Sequence, residues 1–374
     1  MCVTRKVLIL LGLQFALFLA GSLASPGAQV QVYLGTYTES GSRGIYLSNL
    51  DLSTGELSSP SLVAETSSPS FLAFDPARRF LFAVNESSDK LSAFSIDPAS
   101  GKLKFINDSA TGGGGPCHLA LDPSGKSLIA ANYGGGSVSV FPVGADGRLG
   151  VRSQLIQLKG SGPNRGRQSE SHAHSTTFVG KDLLLVDDLG GDKVMLFRVN
   201  GAQATLKPND PPFATAPAGA GPRHLAIDRD HRFVYVVNEM GSSVTQFSLD
   251  PVKGVMRALR TVSALPPDVH GDNSGAEVAL SPSGRTLYTS NRGEDAIAVF
   301  ALDPATKAPR LIQSMPTGGK TPRNFAIDPD GKWLIAANQD SGNLVVLRID
   351  AKSGKLLSTG RSTPLASPVC VLFR

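Results

Sequence analysis

The chain has 374 residues, of which 41% are hydrophobic, 18% charged and 6% aromatic, with 40 Gly and 25 Pro. An apolar fraction near the globular average excludes a disordered chain, and Gly and Pro without a triplet period exclude collagen and low-complexity sequence. The 36 basic and 31 acidic residues leave a formal charge of +5, but Lys and Arg are scattered, so no basic patch reads as a nucleic-acid footprint.

At the start, Arg5 and Lys6 precede an apolar run from Val7 to Ala20, which leads through Gly21 and Ser22 to Leu23-Ala24-Ser25. Small residues at 22 and 24 fit a cleavage site, so residues 1–24 read as a secretory signal peptide. A run of fourteen residues is shorter than the roughly 20 needed to cross hydrocarbon. The expectation is a single domain over residues 25–374, periplasmic or secreted, with no stable membrane insertion. Cys117 and Cys370 are then the remaining cysteines. The repeat described next puts them two blades apart and out of register, which argues against a disulfide.

Beyond the leader, a unit recurs six times, beginning at Pro69, Pro116, His172, Pro222, Gly275 and Pro322. One position marks the phase: Asn85, Asn132, Asp187, Asn238, Asn291 and Asn338, spaced by 47, 55, 51, 53 and 47 residues. Each copy carries short apolar strands such as FLFAV and LIAAN between Asp-Pro, Ser-Gly and Asp-Gly turns, and no helical period. Four strands in about 50 residues make one blade of a β-propeller. Val32 to Leu57 matches the later strands of a blade, and Ser367 to Phe373 matches the innermost one. The expected fold is therefore all-β, a seven-bladed β-propeller whose ring is closed by a blade shared between the two ends of the chain. Closure would pair the sheet edges that an open array exposes.

Within a blade the start of the innermost strand and the end of the second strand fall on one face. Innermost-strand starts carry His118, His174, Arg223 with His224, and Arg323, while second-strand ends carry Asp187, Glu239, Arg292 and Gln339. Arginine buried without a partner is costly, and a carboxylate among arginines is the expected compromise. Such a cluster suits an anionic, oxygen-rich ligand, although a salt-bridge network that only locks blades together would look the same. His172 and His174 alternate, with Asp187, Asp188 and His270 elsewhere, but no third ligand spacing is diagnostic of a metal site. The asparagines of the repeat are ordinarily turn-formers. The segment Lys159 to Ser171, KGSGPNRGRQSES, is long for a blade connection. It fits either a cover over the pocket that adds Arg165 or Arg167, or a disordered surface loop.

The ordered series GSGPNRGRQSESHAHS, DDLGGDKV, GAGPRHLAID, VVNEMGSSV, LYTSNRG and PRNFAIDPDGKWLIAANQDSG resembles the seven-bladed propeller lactonases of the bacterial 6-phosphogluconolactonase type, which are similar to the carboxymuconate-lactonising enzymes. The resemblance runs from Val32 to Phe373. It implies a lactone hydrolase whose site is built from His174, Arg223, Glu239 and Arg292, with His174 or Glu239 as general base and Arg223 at the oxyanion. Arg292 and Arg323 would hold a phosphate or carboxylate, with Asn338 as a further substrate contact. Glu294 and Ala279 stand where relatives carry histidine. No GxSxG elbow is present, so direct attack by water is preferred to an acyl-enzyme. No metal and no cofactor is expected, and the partner is a small anionic or polyhydroxylated lactone met by a monomer. A non-catalytic exported binding propeller and a muconate-type cycloisomerase are the alternatives.

Overall fold

The computed structural model describes residues 28–374, and the signal-peptide reading of residues 1–24 lies outside the described residues. Seven four-stranded antiparallel sheets follow one another around an axis. Their innermost strands touch in cyclic order, with Pro368–Phe373 between the first strand of the next blade and that of the last. Blade 1 is the shared one: its inner strand comes from the C-terminal end and its second strand is Gln29–Thr36, paired as Val32 with Phe373 and Gly35 with Cys370. Blades 2 to 7 are the six sequence copies in order. Cys117 and Cys370, on the inner strands of blades 3 and 1, are buried free thiols.

The burial pattern explains why the second strands read as continuous apolar runs. Ser127–Asn132 and Trp333–Asn338 are buried at every position, because each lies mid-sheet between two neighbouring blades. Outer strands have only one covered face; Val255–Ser263 is mostly exposed and correspondingly polar. The recurrent Asp before each inner hairpin is a local turn device. Asp122 Oδ1 accepts from the N–H groups of Lys126 and Ser127, and Asp75, Asp228 and Asp328 do the same in their blades. Second-strand tyrosines then tie blade to blade: the hydroxyls of Tyr33, Tyr235 and Tyr288 donate to the carbonyls of Gly101, Lys307 and Gly354.

The phase-marking asparagines serve the blades. Asn132 Nδ2 donates to Ser137 and Ser139, and Asn238 Nδ2 to Ser243 and Thr245, clamping the second strand to the third. Asn338 holds the same position, wholly buried behind Gly319 and Ser341 and absent from the lining of the axial pocket. Its side chain is thus placed inside the blade, unlike those of His174, Arg223 and Arg323. A repeat position at the strand end turns into the blade, while its neighbour one residue on turns toward the axis.

Blade 4 substitutes Asp187 for this asparagine. Its Oδ2 accepts from Ser175, its Oδ1 has no partner, and burial pushes the carboxyl up to about 7, with Asp188 adding to the rise. In the unfolded chain the group ionises near its ordinary value, so between about pH 4 and pH 7 folding takes up a proton. Stability is thus expected to fall as pH rises through that window. Asp187→Asn should remove the effect, gaining on the order of 4 kcal/mol at pH 8 and almost nothing at pH 4. Urea unfolding at both pH values measures it; equal gains at the two would show that ionisation is not the cause.

Candidate active site

Antiparallel pairing brings Pro222 opposite Asn238, Ser274 opposite Arg292 and Pro322 opposite Asn338, all at one face of the ring. A register shift follows the first residue of the inner strands of blades 3, 4, 5 and 7, between Pro116/His118, Ala173/Ser175, Pro222/His224 and Pro322/Asn324. The skipped residues are Cys117, His174, Arg223 and Arg323, and all four line one narrow axial cavity of about 10 Å³, room for about one water. A β-bulge frees a residue from the ladder and re-aims its side chain. Repetition of the bulge around the ring is what gathers these side chains.

Glu239, just beyond the second strand of blade 5, is the hub of this cluster. Its Oε2 lies 3.0 Å from Arg223 Nε, 3.0 Å from Arg292 Nη2 and 3.8 Å from His174 Nε2, and its Oε1 is 2.6 Å from Arg167 Nη2. Burial pushes its carboxyl up, but Arg292, Arg223 and Arg167 outweigh burial and hold it down at about 2. The guanidiniums are themselves anchored: Arg223 Nη1 donates to the Ala276 carbonyl at 2.6 Å and Arg292 Nη2 to that of Gly275 at 3.0 Å. No hydrogen bond from Arg223 Nη2 occurs among the described residues. Arg323 is half-buried over the Tyr37 ring, 5.2 Å from its centroid, with no carboxylate in ion-pair distance among the described residues. Glu239 therefore pairs with three arginines, and Arg323 stands beside them outside any ion pair among the described residues.

The long segment 159–171 is an ordered strap over this face. Asn164 organises its turn by accepting from Gly166 and Arg167, and buried Gln168 fastens it to the Leu189 carbonyl and to Asp192. Arg167 thereby reaches Glu239 and the Tyr133 hydroxyl. The covering loop is thus what the structure contains, and of its two arginines Arg167 is the one that enters the cluster. Tyr133, which follows Asn132 as Glu239 follows Asn238, stacks on His172 with centroids 4.6 Å apart and meets His174 edge-on at 5.4 Å. His172 Nδ1 lies 2.8 Å from the Tyr133 carbonyl, so the two alternating histidines serve different partners. No group of three metal-ligating side chains occurs among the described residues.

Below the cluster, His118, His174 and His224 pack edge to face, with His224 5.1 Å from His118 and 5.2 Å from His174. All three are held well below the usual imidazole range. Burial is the first cause, and Arg223 contributes in each case. At neutral pH the floor therefore offers uncharged imidazoles under a positively charged roof. On the remaining side Glu86 accepts from Ser70 at 2.5 Å and from the Tyr37 hydroxyl at 3.0 Å. Glu294 bonds Ser314 and Asn291 within blade 6 and is absent from the cavity lining. Tyr37 and Glu86 each stand one residue past the end of a second strand, the repeat position of Glu239, so the repeat phase is the signal that could have found them.

A family profile described as "Lactonase, 7-bladed beta-propeller" matches residues 31–373. The chain is 33% identical to the 6-phosphogluconolactonase of Bacillus subtilis over 91% of its own length and 97% of the relative's. It is 35% identical to that of Formosa agariphila over 87% and 94%. Its structure superposes with a TM-score of 0.88 on the periplasmic gluconolactonase of Pseudomonas aeruginosa, at 34% identity over 92% of this chain and 99% of the other. With the shared terminal blade, the arginine-ringed carboxylate and a match spanning nearly every described residue, the chain belongs to the seven-bladed β-propeller lactonase family.

Proposed function

We propose that this lactonase opens a sugar lactone of the gluconolactone type by direct attack of water. The observation that carries the reading is the meeting, in one axial cavity, of two guanidiniums with donors to spare, Arg223 and Arg323, and of neutral histidine. Water adds to the carbonyl carbon, the displaced electron pair forms an oxyanion beside Arg223 Nη2, and collapse breaks the bond to the ring oxygen. His174 holds the attacking water. Glu239 organises the arginines and is not the base, because a carboxylate held near 2 has little drive to accept a proton at neutral pH.

Arg323, outside any ion pair among the described residues, takes the phosphate or carboxylate of an anionic substrate. Arg292 is committed to Glu239 and Gly275 and grips the substrate less. The signal-like pattern of residues 1–24, together with the periplasmic description of the Pseudomonas aeruginosa gluconolactonase, supports export of residues 25–374 as one domain. Action as a monomer is part of the same proposal. No residue of the site requires a cofactor in this scheme.

Purified protein assayed against gluconolactone, 6-phosphogluconolactone and carboxymuconolactone tests the reading, and absence of turnover on all three would overturn it. Arg323→Ala should raise KM for 6-phosphogluconolactone about tenfold or more and leave kcat and the neutral substrate little changed, as expected for loss of an interaction equal in ground and transition states. Equal effects on both substrates would remove Arg323 from the anion site.

A further inference from the structure

The floor of the cavity holds a second carboxylate in surroundings unlike those of Glu239. Glu277 stands in the irregular stretch of the blade 6 inner strand, between Gly275 and Val278. Both its oxygens lie 3.1 Å from His224 Nδ1. It also accepts from its neighbour Val278 N–H at 2.9 Å and from Asn324 Nδ2, and Asn324 is fixed in turn by Val371 N–H at 2.8 Å. On the other side of the ring, His224 Nε2 is 3.4 Å from Arg223 Nη1. A guanidinium only donates, so Nε2 carries the lone pair and Nδ1 carries the proton directed at Glu277.

His224 lines the same cavity as Arg223, His174 and Arg323. Among the described residues it is the histidine whose ring nitrogen hydrogen-bonds a carboxylate. His172 Nδ1 lies against a backbone carbonyl, His118 Nδ1 faces Thr176, and His174 Nε2 is 3.8 Å from Glu239. A base held by a carboxylate on its far nitrogen is the arrangement that fixes tautomer and orientation and stabilises an imidazolium as it forms.

Resting on the lactone-hydrolase reading above, we propose that His224 is the proton carrier of the reaction and that Glu277 is its positioning residue. The 3.4 Å contact of Nε2 with Arg223 Nη1, weaker than the 2.6 Å bond of that Nη1 to the Ala276 carbonyl, gives way to the water; Nε2 then takes a proton from the water as the water oxygen bonds to the carbonyl carbon, forming an imidazolium paired with Glu277. When the bond from the carbonyl carbon to the ring oxygen breaks, Nε2 returns that proton to the ring oxygen. One water is added, the enzyme ends as it began, and the acid product ionises in solvent. The groups facing the pair are Arg223 on the same strand, His118 and His174 from blades 3 and 4, and Glu239 and Arg292 above. Arg323 and Asn324 face it from blade 7, with Phe71 and Cys370 from blades 2 and 1. Three guanidiniums and two imidazoles around the pair disfavour a lone imidazolium, so a carboxylate partner is what makes this one attainable.

The pair works with His224 neutral and Glu277 ionised; an added proton stops it. Burial pushes Glu277 up to about 7, so kcat/KM should climb with pH through neutrality and then level. Glu277 and Asn324 also line a recess of about 340 Å³ that opens by Pro282, Asp328 and Pro329, at the far ends of the inner strands. A small carboxylate added to the solvent has access to the position of Glu277 from that side.

The experiment measures kcat and KM on gluconolactone from about pH 5 to pH 8, corrected for spontaneous opening, for the wild type, His224→Asn, His224→Gln, Glu277→Gln, Glu277→Asp and Glu277→Ala. Either His224 variant should lose at least about 10²-fold in kcat with KM within about threefold. Glu277→Gln should lose about tenfold and move the rising limb to lower pH, since the limb then reports His224 alone, which burial and Arg223 hold low. Glu277→Asp should recover part of the loss, and formate should raise the rate of Glu277→Ala. Folded His224 variants that keep kcat within threefold, or a Glu277→Gln limb that does not move, overturn the proposal while lactone hydrolysis stands. An inactive wild type overturns the lactone-hydrolase reading itself and this proposal with it.

Discussion

Glu239→Gln is expected to lower kcat by about 10² to 10³-fold at every pH and to destabilise the fold. The change keeps the shape of the side chain and removes the one negative charge that Arg223, Arg292 and Arg167 share. Taking one partner from a buried ion cluster leaves uncompensated charge and typically costs about 3–5 kcal/mol. The guanidiniums then move apart or draw in other anions, and Nη2 of Arg223 loses its aim at the oxyanion. The pH profile separates this from a base role. Loss of a general base is partly relieved as hydroxide rises, whereas loss of an organiser is not. Activity that recovers steeply toward alkaline pH would return the base role to Glu239. A rate within a few-fold of the wild type would remove Glu239 from the chemistry.

Arg223→Lys carries the second large effect, about 10²-fold or more in kcat with KM little altered. Lysine keeps the charge, so a site that needed only positive potential would tolerate it. Arg223, however, uses three directions at once: Nε to Glu239, Nη1 to the Ala276 carbonyl, and Nη2 left for the substrate. An ammonium on a flexible stem cannot hold two anchors and aim a third donor. Steady-state kinetics on gluconolactone and its 6-phosphate decide the matter. Equal losses in kcat on both substrates place Arg223 at the oxyanion, while a loss confined to the KM of the phosphorylated substrate would exchange its role with that of Arg323.

The ring, its number of blades and its closure by the two chain ends were legible in the sequence, because each blade repeats local rules. Runs such as LIAAN are apolar throughout where a strand is covered on both faces, and the Asp of each inner hairpin, such as Asp122 and Asp328, is its own turn device. The repeat phase also placed His174, Arg223, Glu239 and Arg292 at one face, since antiparallel pairing leaves little choice. For Asn338 the same phase carries the strand end to the rim without saying which of two adjacent residues turns inward; its side chain lies buried in the blade.

Tertiary structure alone decided the rest. The bulges that turn His174, Arg223 and Arg323 toward the axis break the two-residue period from which side-chain direction is read. The roles of the charged groups depend on short distances between residues far apart in the chain, such as 2.6 Å between Arg167 and Glu239 or 3.1 Å between His224 and Glu277. At that range burial and neighbouring charge hold one glutamate at about 2 and lift another to about 7, and a sequence names both simply as Glu.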